Sequence, residues 1–187
     1  MQPSSAEEIV AIVDEENRVV GAAPRARMRA EGLPHRATYI LVFNSNGELF
    51  VQKRTVGKDV YPGYYDVATG GVVLAGESYE QGAERELAEE LGVTGARLKA
   101  HFDFFYRDGG NRVWGRAFSC VHDGDVVLQT EEVESGAFYA VPDIIAMSRR
   151  QPFTPDGLHV LMRYTSTAAS SPGDAVRKPV RKGDDLR

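Results

Sequence analysis

Residues Gly71 to Val93 read GVVLAGESYEQGAERELAEELGV, and the reading of this stretch decides the rest of the chain. Ser78, with Gln81 three positions on, forms a capping box, in which each side chain satisfies the other residue's backbone N–H at a helix start. Gly92 after Leu91 supplies the stop, because glycine enters the left-handed conformation at little cost. The pattern predicts a helix over Tyr79 to Leu91 whose buried stripe is Tyr79, Ala83, Leu87 and Leu91. Glu86, Glu89 and Glu90 stand at i, i+3 and i+4, so their carboxylates share one face beside that stripe. Each like-charge neighbour pair costs about 0.2–0.5 kcal/mol, and clustering pushes carboxyl pKa values upward. Arg85 can pair with Glu89, but one guanidinium cannot neutralise three carboxylates. A hard divalent cation can: several carboxylate oxygens suit Mg²⁺, with Mn²⁺ as a substitute. Taken alone, the helix also reads as a solvated acidic face.

The wider spacing separates these readings. Gly71, Glu77, Arg85, Glu86, Leu87, Glu89, Glu90, Gly92 and Val93 fill every fixed place of G-x5-E-x7-R-E-U-x-E-E-x-G-U, where U is aliphatic. Nine places matched within 23 residues is a specific pattern, unlike a lone glycine motif. The stretch resembles the Nudix box, the signature of the MutT-like Nudix hydrolases. Upstream, HRATYILVF, ELFVQKR and YPGYYDVATGG resemble the strands that lead into that box, so the resemblance covers a domain of about His35 to Arg163. It implies a Nudix-type α/β/α sandwich around a mixed β-sheet, with a loop-helix-loop catalytic motif. It also implies Mg²⁺-dependent cleavage of a pyrophosphate bond in a nucleoside diphosphate derivative or related small diphosphate.

Place by place, the resemblance implies metal binding by Glu86, Glu89 and Glu90 and catalytic roles for Glu89, Glu90 and Arg85, the last keeping the glutamate face in order. Glu77 and Gly92 are expected to support the motif structurally. Gly70 and Gly71 would let the backbone approach metal-bound phosphates closely. A glutamate not fully engaged by metal, Glu89 first, would accept the proton of the attacking water. Glu131, Glu132 and Glu134, on a downstream loop where some family members place their base, are the other candidates. Lys53, Arg54, Lys58 and Arg112 are either phosphate contacts or surface charges.

His35 to Gly71 also resembles isopentenyl-diphosphate isomerase, which uses the same fold. Thr69 stands where that enzyme's cysteine would be, Gly71 where a histidine would be, and Gly110 and Arg112 where its glutamates would be; only His35 remains. A nucleotide-binding module that has lost catalysis is the third class, but such a module would be expected to show a degenerate box.

Outside this region the chain reads as an ordinary globular protein: 187 residues, 42% hydrophobic, 26% charged. One cysteine, Cys120, excludes an internal disulfide framework and a multi-cysteine zinc site, and its apolar strand pattern marks it as a buried structural thiol. No run approaches the roughly 18 apolar residues of a membrane span, and acidic residues crowd the first thirty positions where a signal peptide would be basic then apolar. The cytoplasm is the expected location. Residues 167 to 187 carry five basic and three acidic residues, a balance of +2, which leaves −7 for the body of a chain whose net charge is −5. An acidic body disfavours long nucleic acid.

Strands are expected at residues 8–13 and 19–22 as a hairpin, then at 37–43, 49–53, 64–69, 98–106, 112–121 and 137–141. Short helices are expected at 24–30 and 142–149, and a final helix from Thr154-Pro155. Residues 1–34, the hairpin and first helix, would pack on the domain, and the hairpin could pair with a partner subunit in a homodimer. Residues 167–187 are expected to be a disordered tail. Phe102, Phe104, Phe105, Tyr106 and Trp114 read as packing residues. His101, His122 and His159 lack metal-ligand spacing. One of Tyr61, Tyr64 and Tyr65 is expected at a pocket rim.

Overall fold

The computed structural model describes residues 6–169. Eight strands form one mixed sheet: β1 (Ile9–Val13), β2 (Val19–Pro24), β3 (His35–Phe43), β4 (Leu49–Arg54), β5 (Tyr65–Asp66), β6 (Lys99–Asp108), β7 (Asn111–Val121) and β8 (Val133–Tyr139). Four helices accompany it: α1 (Arg25–Glu31), α2 (Tyr79–Leu91), α3 (Val141–Ser148) and α4 (Pro155–Ala169). The expected α/β/α sandwich is the one observed. Among the described residues no helix is long and apolar enough to cross a membrane.

The central strand is β3, buried along nearly its whole length. Its side chains alternate between two cores, as a pleated strand requires. Tyr39 and Leu41 pack with Val51, Phe104, Val113, Ile144, Val160 and Leu161, on the face covered by α3 and α4. Ile40 and Val42 pack with Tyr79, Ala83, Leu87 and Leu91 of α2 and with Phe118 and Cys120 of β7. Burial pushes the Cys120 thiol up to about 11, consistent with an inert packing role.

Along one edge β3 runs parallel to β7 over nine residue pairs, from His35↔Val113 to Phe43↔Val121. Along the other it meets β4 only at Phe43↔Leu49, where the hairpin closes. Below that point the two strands diverge, and residues 69–73 fill the opening. Ile40 exchanges N–H···O bonds with Thr69 (2.7 and 3.0 Å), Thr38 N–H donates to Gly71 O (2.9 Å), and Val73 N–H donates to Arg36 O (2.9 Å).

This arrangement corrects one expectation. The strand read at 64–69 is reduced to Tyr65–Asp66, because that pair bonds to Lys53 and Gln52 of β4 while Thr69 bonds to β3. No single ladder can follow two diverging strands. Two other boundaries move: β8 begins at Val133 rather than 137, since Val133 and Ser135 continue the pairing with Arg54 and Lys53, and α4 runs through Ala169, so residues 167–169 of the expected tail are helical. The rest of that tail lies outside the described residues.

Candidate active site

Helix α2 forms as the sequence dictates. Gln81 N–H donates to Ser78 Oγ at 3.1 Å and Ser78 N–H to Gln81 Oε1 at 2.9 Å; Gly92 closes the helix in the left-handed conformation, at φ 67°. The stripe Tyr79, Ala83, Leu87 and Leu91 is buried, which turns the adjacent carboxylate face toward residues 70 and 71. A cleft of about 520 Å³ opens there, lined on this side by Glu86, Glu89, Gly70, Gly71 and Glu132.

Arg85 organises the face. Its Nε and Nη2 bind both oxygens of Glu77 (2.8 and 3.1 Å), Nη2 also reaches Val72 O (3.1 Å), and Nη1 reaches Glu86 Oε1 (2.8 Å) and Glu89 Oε2 (3.2 Å). Glu77 in turn accepts the Leu74 N–H at 3.0 Å. The guanidinium thus joins the start of the loop, its middle and the helix. Glu89 stands at the rim with 51% of its side chain exposed.

Glu90 is 2% exposed. Its Oε2 accepts from Gln52 Nε2 (3.3 Å) and from Gly70 N–H (3.4 Å), and its Oε1 faces Lys58 Nζ at 3.4 Å. Lys58 Nζ also contacts the Glu132 carboxylate. Burial, and secondarily the Glu90 carboxylate, raises the Glu86 carboxyl well above its ordinary range. Glu86 Oε2 has no donor among the described residues. Two nearly buried carboxylates one helical turn apart, each with one oxygen tied and one turned elsewhere, are a hard-oxygen donor set that suits a small divalent cation.

Gly70 and Gly71 line the cleft; backbone bars a side chain at Gly70, whereas one at Gly71 would displace the Glu86 carboxylate. Gly70 holds φ 144°, where a Cβ would collide with Thr38 O. A Cβ on Gly71 would lie 2.5 Å from Glu86 Oε1. Their amides are already used, Gly70 N–H by Glu90 and Gly71 N–H by Thr38 Oγ1 at 3.4 Å. They offer close approach rather than free donors.

The basic residues divide. Arg54 lines the cleft but is engaged: Nε and Nη2 donate to Val60 O (3.2 and 2.8 Å), and Nη1 lies 3.6 Å from Asp66 Oδ2. Lys53 does not meet the expectation of a phosphate contact. It is the next residue on β4 and so points to the opposite face, where it pairs with Glu134 at 2.8 Å outside the cleft. Arg112 is likewise turned away, donating to Gly32 O at 2.9 Å. Of the three downstream glutamates, Glu132 lines the cleft, while Glu134 is held by Lys53 and Glu131 borders a neighbouring cavity.

Farther in, the cleft is walled by Tyr39, Asp66, Asp156, His35, Arg29 and Tyr61. Tyr39 donates to Asp156 Oδ2 at 2.9 Å, and Tyr61, at φ 51°, donates to Asp108 at 2.6 Å. His35 is buried, with Nδ1 3.0 Å from Leu33 O, and burial followed by the nearby Arg29 charge depresses its pKa to about 4. Its ring is therefore neutral, with Nδ1 donating to Leu33 O and Nε2 accepting from Arg29 Nη1 at 3.5 Å. Tyr64 and Tyr65 do not line the cleft, and Tyr65 stacks on Phe153 with centroids 5.4 Å apart. Phe104 is core, and Phe105 packs on Trp114.

Asp66 and Asp156 in the cleft wall, and Gln52 behind Glu90, are polar residues that the sequence reading passed over. The available signal for Gln52 and Asp66 was an amide after the apolar run LFV and a carboxyl before the apolar VA; Asp156, in the first turn of α4, carried none.

A protein-family model described as NUDIX domain matches residues 33–163. The chain belongs to the Nudix family, hydrolases that act on phosphorus-containing anhydrides and generally use a divalent metal such as Mg²⁺. Among its relatives, the uncharacterized Nudix hydrolase PA4841 of Pseudomonas aeruginosa is 48% identical over 157 residues, 84% of this chain and 93% of its own. The uncharacterized Nudix hydrolase YfcD of Escherichia coli is 45% identical over 164 residues, 88% of this chain and 90% of its own. In fold, the crystal structure of DR0079 from Deinococcus radiodurans superposes with a TM-score of 0.74 at 23% identity, covering 83% of this chain and 98% of that one.

Proposed function

We propose that the chain hydrolyses the pyrophosphate bond of a small diphosphate compound, a nucleoside diphosphate derivative or a close chemical relative. One observation supports this reading: Glu86 lines the cleft against Gly71, and the buried Glu90 lies one helical turn on against the Gly70 N–H, where side-chain bulk is absent. Mg²⁺, or Mn²⁺ in its place, would be held by Glu86 and Glu90 with Glu89 completing the set, and when bound it supplies charge neutralisation and polarisation of the diphosphate. Arg85 fixes the rotamers of Glu86 and Glu89 through its hydrogen bonds, so the carboxylates need little rearrangement to engage substrate. Gln52 and the Gly70 N–H hold Glu90 Oε2 and thereby aim Oε1. Glu89, exposed at the rim, would take a proton from water entering the cleft; of the three downstream glutamates, Glu132 lines the same space and is the alternative base.

Isomerase chemistry is not supported. Thr69 is buried, bonded through its backbone to Ile40, and is not a cleft residue.

The test is a panel of nucleoside di- and triphosphates, sugar nucleotides, dinucleotides and isoprenoid diphosphates incubated with the purified chain and Mg²⁺. Products are identified by mass, and the attacked phosphorus by oxygen-18 incorporation. Metal-dependent hydrolysis of at least one member is expected. Binding without turnover across the panel, or proton exchange on an isoprenoid diphosphate, would overturn the reading.

A further inference from the structure

Four cationic side chains line the cleft among the described residues: Arg25, Arg29, Arg54 and Lys58. Three are committed elsewhere. Arg25 pairs with Glu8 at 3.1 Å, Arg29 with Asp59 at 3.1 Å and with Asn111 at 3.0 Å, and Arg54 with Val60 O and Asp66. Lys58 alone of the four spends its charge on carboxylates beside the glutamate face, those of Glu90 and Glu132.

The oxygen it faces matters. Glu90 Oε2 is already occupied by Gln52 and Gly70, so Oε1 is the one left for any incoming cation, and Lys58 Nζ sits against it at 3.4 Å. Correspondingly, no three acidic or imidazole side chains converge on one point among the described residues. Arg85 draws Glu86 and Glu89, and Lys58 holds Glu90.

Lys58 can let go without dismantling its loop. Residues 55–64 are pinned at the base by Thr55 N–H to Glu132 O (3.0 Å), Thr55 Oγ1 to Glu131 O (2.9 Å) and Gly63 N–H to Thr55 O (3.2 Å), and farther along by Tyr61 to Asp108. The ammonium is a compact charge on a flexible stem, without the two-point geometry that locks an arginine to one carboxylate.

Resting on the proposed function, we infer that Lys58 is the resident counter-cation of the carboxylate site. It neutralises Glu90 and Glu132 before a divalent ion arrives, yields Glu90 Oε1 to that ion, and then pairs, still protonated, with the substrate's diphosphate. One residue thus weakens metal binding in the absence of substrate and strengthens diphosphate binding in the presence of metal. Metal capture and substrate capture become coupled, since the displaced ammonium finds its new partner on the substrate.

The experiment compares wild type with Lys58→Met and Lys58→Gln, using Mn²⁺ alone and then methylene bisphosphonate at saturating Mn²⁺, by calorimetry. Mn²⁺ should bind both variants about fivefold to tenfold more tightly than wild type, because a competing positive charge is gone. The bisphosphonate should bind them about tenfold more weakly. Lys58→Arg should change the metal affinity less than either neutral variant. A lysine that merely braces the loop gives the opposite sign: its loss leaves Glu90 misplaced and Mn²⁺ binding weaker. Unchanged or weakened Mn²⁺ affinity in the neutral variants, or undiminished bisphosphonate affinity, overturns the inference. Mn²⁺ uptake by the wild type, read in the same titration, tests the hydrolase reading separately.

Discussion

Arg85 and Glu77 form a two-point ion pair, 2.8 Å at Nε and 3.1 Å at Nη2, with both side chains about four-fifths buried. The pair ties the beginning of the Gly71–Val93 segment to the glutamate helix. Glu77 also holds the Leu74 N–H, so it shapes the loop as well as the arginine.

Replacing Glu77 by Gln keeps the volume and removes the charge. The expected cost is about 1–3 kcal/mol in urea unfolding, the range for a partly buried charge-assisted bond. Arg85→Lys should cost a similar amount, since an ammonium cannot span Glu77, Glu86 and Val72 O together. Unfolding midpoints within error of wild type for both variants would remove Arg85 from its organising place.

Glu90→Gln preserves shape but removes the buried negative charge. Turnover at saturating Mg²⁺ should fall by about 10²–10³-fold, the scale on which one key electrostatic group acts. A steady-state rate near wild type counts against Glu90 as a metal-holding residue.

The contact between Gly71 and Glu86 leads to a separate expectation. In Gly71→Ala the methyl group would press on Glu86 Oε1 from 2.5 Å, forcing the carboxylate aside. A displacement on that scale should lower kcat by about 10²-fold. Circular dichroism should show the fold retained, and an alanine variant with full activity contradicts the tight approach.

His35 supplies a pH signature. Its pKa of about 4 in the folded chain lies below the ordinary 6.5, so between these values the unfolded chain binds more protons than the folded one. Stability should therefore rise as pH increases from 4 to 6.5, by about 3 kcal/mol from this group, and level off above. In His35→Gln that component of the slope should vanish, which denaturant titrations at pH 4.5 and 7 would register as a reduced difference.

The helix and its chemistry were legible because their determinants are local. Ser78, Gln81 and Gly92 act within one or two turns, and the spacing of Glu86, Glu89 and Glu90 places them on one face without reference to the rest of the chain. The layered fold followed from the family resemblance and from the order of strand and helix patterns along the chain. What stayed hidden depends on distant partners. Lys53 and Arg54 are adjacent in sequence, and only the register of β4 against β5 and β8 sends one to the outside and the other to the cleft. Gln52 becomes a partner of Glu90 only because β4 runs beside the helix face, 38 positions away in the chain. The shortened β5 reflects the divergence of β3 and β4, a property of the assembled sheet that no window of residues contains.

Residues 69–73 bond to Arg36, Thr38 and Ile40 of β3, along the edge from which β4 diverges. The floor of the proposed site thus belongs to the same hydrogen-bonded scaffold that separates the two cores. Opening of this segment would break backbone bonds to the central strand, so the proposed site and the sheet that carries it are expected to melt together.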